Sequence, residues 1–79
     1  DLAEIMGRVL KQMSGMFAGL LAAAPDAHFA DCDAVGFMLA VLIGGSVRMV
    51  LDTTASPQDL SQLRRELPRA CRAYVSAAQ

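Results

Sequence analysis

Along the first two dozen residues, Leu2, Ile5, Met6, Val9, Leu10, Met13, Met16, Phe17, Leu20 and Leu21 recur in steps of three and one. That spacing is one apolar stripe of a helix with 3.6 residues per turn. Pro25 ends the run, so a first helix is predicted over residues 2–24, with Glu4 and Arg8 four apart on its polar face as an ion pair. Gly7, Gly15 and Gly19 lower its propensity without shifting its phase. The stretch from Pro25 to Asp33 holds three aspartates and reads as a connection, with Asp31 or Asp33 capping the next helix.

A second helix is predicted over 32–53, and its apolar positions spread almost all round the wheel, the pattern of a helix buried on two sides. Gly36, Ala40 and Gly44 fall at i, i+4 and i+8 and make a narrow groove of small residues, continued by Val47 and Leu51. Phe37 and Val41 flank the groove; Met38, Leu42, Gly45 and Met49 lie on the far side. Each of the adjacent glycines Gly44 and Gly45 gives up about 1 kcal/mol of helix preference. A smooth surface that lets another helix approach closer than the usual ~8–10 Å would offset that cost.

The third helix, predicted over 57–77, has clear punctuation: Ser56 at the N-cap, Pro57 at the first helical position and Asp59 three residues after the cap. Leu60, Leu63, Leu67, Cys71, Tyr74, Val75 and Ala78 share one face, opposite Gln62, Arg65, Glu66, Arg69 and Arg72. Pro68 removes the hydrogen bond to the Arg64 carbonyl, but the apolar phase runs through it, which predicts one bent helix.

Composition changes the picture in one respect: 54% of the 79 residues are hydrophobic and only 15 are charged. A chain this short buries only about 60% of its unfolded surface, so a partner surface is expected. A net charge of −1 leaves no electrostatic footprint for nucleic acid. The longest uncharged run, Ala34 to Val47, is fourteen residues, short of the roughly 20 that span a bilayer, and it is read as a buried helix without a membrane role. The chain begins at Asp1 with no signal-peptide pattern and is expected to be a piece of a longer protein.

Candidate chemistry is sparse. Cys32 and Cys71 have no C-x-x-C spacing, and His28 completes no zinc site with them, so no metal and no cofactor are expected. The segment IGGSVR lacks phosphate-loop spacing and any nearby lysine. No nucleophile stands beside a base and no carboxylates pair on one face, so no catalytic residue and no enzyme activity are expected. The five methionines Met6, Met13, Met16, Met38 and Met49, with Phe17 and Phe37, line either plain core or an adaptable apolar cavity between the first two helices.

The run G-G-S-V-R-M-V-L, a short spacer, and S-P-x-D-L-x-x-L opening a last amphipathic helix resemble the C-terminal end of TetR-family transcriptional regulators. The resemblance spans most of the chain. It implies an all-α fold, a three-helix antiparallel fragment of a TetR-type C-terminal domain. The DNA-binding helix-turn-helix is absent from this chain, so DNA is contacted only through that missing N-terminal part. The resemblance further implies a cytoplasmic homodimer whose last two helices, Cys32–Thr53 and Pro57–Ala77, pair with their copies as a four-helix bundle. The interface expected on that basis comprises Gly36, Ala40, Gly44, Val47, Leu51, Leu60, Leu63, Leu67 and Tyr74, with the glycine pair at the crossing. Met13, Met16, Phe17, Phe37 and Met38 become the candidate pocket for a small apolar or aromatic effector, with Arg48 the nearby cation that could orient an anionic group. A free-standing helical adaptor, holding an amphipathic helix of a partner protein, is the alternative.

Overall fold

A computed structural model describes residues 1–79 as three helices without strands: α1 (Leu2–Ala23), α2 (Cys32–Asp52) and α3 (Pro57–Ala78). The helix starts are set by side-chain caps. Asp1 accepts from the Glu4 amide and Asp31 from the Ala34 amide, each at 3.0 Å. At α3 the Ser56 hydroxyl accepts from the Asp59 amide while the Asp59 carboxylate accepts from the Ser56 amide, both at 3.1 Å, a reciprocal capping box with Pro57 next to it. α1 stops at Ala24, whose extended backbone (φ −68°, ψ 119°) is the conformation that a following proline imposes. α3 runs unbroken through Pro68. The predicted pair between Glu4 and Arg8 is not formed; the i,i+4 pair that does form is Arg48–Asp52, at 2.6 Å.

The helices run antiparallel in sequence order, and α2 lies in the middle. α1 packs along α2 over most of its length, whereas α3 meets α2 at few positions, and no Cα of α1 comes within 8 Å of one in α3. The best-covered cluster is Phe29, Val35 and Leu39, reached by Phe17 and Leu21 from α1 and by Cys71, Tyr74, Val75 and Ala78 from α3. Phe29 comes from the aspartate-rich connection and plugs that end of the layer.

The molecule measures 40 × 32 × 14 Å, one helix thick. Such a layer has two broad faces and no interior between them. Only six residues are buried, and the accessible surface is 5840 Å². A compact 8.4 kDa monomer exposes about 4,600 Å², so this chain carries about 1,200 Å² beyond what a self-sufficient fold of its mass would. α2 itself, with a mean hydropathy of 2.0, is by length and composition long and apolar enough to cross a membrane, because the helix extends beyond the uncharged run at both ends.

Candidate functional site

The small-residue groove of α2 is occupied by the chain's own α1. A Cβ on Gly36 would lie 2.7 Å from the Ser14 carbonyl oxygen and 2.8 Å from the Ala18 nitrogen, so the two backbones touch here and only glycine fits. Ala40, one turn on, is 1% exposed. Gly44 is looser: its nearest neighbours would be the methyl and sulfur of Met13, at 3.9 and 4.0 Å. Gly36, Ala40 and Gly44 are therefore a seat for α1, which corrects their assignment to a surface open to a second copy. Val47 and Leu51 border a shallow groove of about 290 Å³ with Met6, Val9 and Met13, and Leu51 is 76% exposed. Gly45 points elsewhere. No atom lies within 4 Å of where its Cβ would be.

On the α3 side, Tyr74 packs on the Phe29–Val35–Leu39 cluster, so part of the expected interface is again internal. Leu63 is half-buried and faces Met49 and Val50 across a cleft of about 650 Å³ between α2 and α3. Leu67 is half-buried and Leu60 exposed.

The five candidate pocket residues are not brought together. Met13 borders the α1–α2 grooves, while Phe17 borders a separate cleft of about 400 Å³ where all three helices meet. Met16 (56% exposed), Phe37 (47%) and Met38 (38%) line no cavity at all. The cleft at Phe17 has an apolar wall of Phe17, Leu39 and Ile43 and an α3 wall that offers Cys71, Arg72, Ser76 and Gln79. Arg72 has no carboxylate partner, whereas Arg48 is held by Asp52.

Reactive groups are dispersed. No three His, Cys, Asp or Glu side chains gather where they could hold a metal ion. The Ser46 hydroxyl donates to the Leu42 carbonyl within its own helix, and Cys32 and Cys71 are free thiols.

The chain is thus a one-layer array of antiparallel helices with large uncovered apolar faces. Residues 1–74 match the family model described as the tetracyclin repressor-like C-terminal domain, and the chain belongs to that family. No curated protein and no solved structure matches the chain. Domains of this family are in general the effector-binding and dimerisation parts of transcriptional regulators, which are non-enzymatic, soluble cytoplasmic proteins.

Proposed function

We propose that this chain is the effector-binding and dimerisation domain of a TetR-like cytoplasmic regulator, pairing as a homodimer and leaving DNA contact to a separate helix-turn-helix part. The observation that carries the reading is the surplus of about 1,200 Å² on a layer one helix thick, since a standard interface covers about 800 Å² per partner and obligate dimers more. Sedimentation equilibrium at micromolar concentration should report a dimer. A monomer at every concentration would remove the dimerisation role and leave the adaptor reading. In a gel shift at low salt the chain alone should retain no DNA sequence selectively, because its net charge is −1.

For the effector, the three-helix cleft at Phe17 fits better than the dispersed methionines. Its volume of about 400 Å³ lies in the range of small-molecule sites, and its apolar wall faces a free guanidinium, Arg72. An apolar or aromatic body with an anionic group suits it. Anilinonaphthalene sulfonate, a probe of that chemistry, should brighten with the wild-type chain and much less with Val75→Trp, which fills the cleft. Equal brightening would move the effector elsewhere.

A further inference from the structure

We propose that the outer face of α3 is a docking surface for an acidic helix of another protein, read by Arg65, Arg69 and Arg72. Residues 64–72 hold four of the seven basic side chains against one acid, Glu66, while the remainder of the chain holds three basic side chains against seven acidic ones. The net charge of −1 therefore hides a strong separation of charge, with the positive pole on α3. Arg65, Arg69 and Arg72 fall at i, i+4 and i+7, on the side of α3 turned away from Leu63, Leu67 and Tyr74. At the rise of an α-helix the row is about 10 Å long.

Nothing within the chain accounts for this row. The carboxylate in reach is Glu66, 3.5 Å from Arg65 Nε and 3.8 Å from Arg69 Nη1, and all three side chains are more than half exposed. One solvated carboxylate at those distances neutralises neither guanidinium. Arg64 and Arg72 have no carboxylate partner. Basic side chains are favoured by the dipole at a helix C-terminus, but that effect is confined to the last turn, and the last turn of α3 carries none. A face that only keeps a helix in solution mixes both signs, as with Glu and Lys four apart.

The surface beside the arginines suits a helix. Ala70, Ala73 and Ala77 are exposed and follow one another at i, i+3 and i+7, a smooth shoulder on which a second backbone can lie close. A helix with Asp or Glu at i, i+4 and i+7 then sets one carboxylate against each guanidinium, whose planar fork matches it. A nucleic acid fits less well. A long polyanion extends past so short a row into the field of a remainder that is acidic, with Asp26, Asp31 and Asp33 in one connection.

The probe is a fluorescein-labelled, alanine-based helical peptide with glutamates at i, i+4 and i+7, compared with its counterpart carrying glutamines there. Fluorescence anisotropy at low salt should show the chain binding the glutamate peptide and not the glutamine one. Arg65→Gln with Arg69→Gln changes two exposed positions at little cost in helix propensity, so helicity by circular dichroism should stay as in the wild type. The dissociation constant should rise by about tenfold or more. Arg8→Gln with Lys11→Gln removes the same charge from exposed positions of α1 and should leave the constant unchanged. Equal weakening by both pairs would reduce the effect to overall charge and overturn the proposal, as would a wild-type chain that binds neither peptide at any concentration. A random-sequence DNA duplex that binds more tightly than the glutamate peptide, and is released by Arg65→Gln with Arg69→Gln, would make the row a phosphate contact and overturn it too.

Discussion

Gly36→Ala adds one methyl at the tightest point of the structure, and its cost follows from what that methyl meets. The obstructing atoms, Ser14 O at 2.7 Å, Ala18 N at 2.8 Å and Ala18 Cα at 3.1 Å, all belong to the α1 backbone, so no side chain can turn aside. Relief to an ordinary contact near 3.4 Å needs α1 to move outward by several tenths of an ångström, and a hydrogen-bonded helix moves as a unit. Overpacking of this kind costs about 1–3 kcal/mol, while alanine returns about 1 kcal/mol of helix propensity. The net expectation is a loss of up to about 2 kcal/mol. Gly15→Ala is the control: it places the same methyl in open space and should stabilise by about 1 kcal/mol. Urea unfolding followed by circular dichroism, at one fixed protein concentration because association adds to apparent stability, should place Gly36→Ala about 1–3 kcal/mol below Gly15→Ala. A Gly36→Ala chain as stable as Gly15→Ala would refute the backbone contact and with it the placement of the groove.

Ser56→Ala removes half of the capping box and should cost about 1 kcal/mol, with the added hydrogen exchange confined to the first turn of α3. Pro68→Ala should raise the melting temperature, since the proline is exposed and costs up to about 3 kcal/mol in a helix interior; a lower one would mean that a bend at Pro68 is needed to seat Cys71 and Tyr74. Phe29→Ala should cost about 3 kcal/mol or more, a core-sized loss from a residue in a connection, read from the same urea curves.

Much of the architecture is legible in the sequence because its signals are local. Asp31 and Ser56 are visible as caps, Pro25 forces an extended residue before it, and the 3.6-residue stripes give α1 and α3 their faces. What fails to read out is the identity of a partner surface. The Gly36–Ala40 spacing announces a close approach but not by whom; the complementary signal, Ser14 and Ala18 at i and i+4 on α1, was available and marks the helix that comes near. Phe29 was not singled out, since a lone aromatic among aspartates looks like surface until the ends of two helices close over it. The Glu4–Arg8 pair fails for a simpler reason: between exposed side chains it is worth a fraction of a kcal/mol, too little to fix either one. The methionines and phenylalanines of the expected pocket scatter because composition cannot tell which of several apolar faces each will join.

With no close backbone approach between α1 and α3, the two are joined through α2 and through the side chains that gather around Phe29. The two joints of α2 differ in how tightly they are made. The joint at Gly36 is backbone against backbone and transmits a displacement of α1 to α2 almost undiminished. The joint to α3 is made by side chains around an open cleft and yields first. A push on α1 therefore reaches α2 most directly at Gly36, while the open cleft on the other side leaves α2 and α3 room to shift against each other.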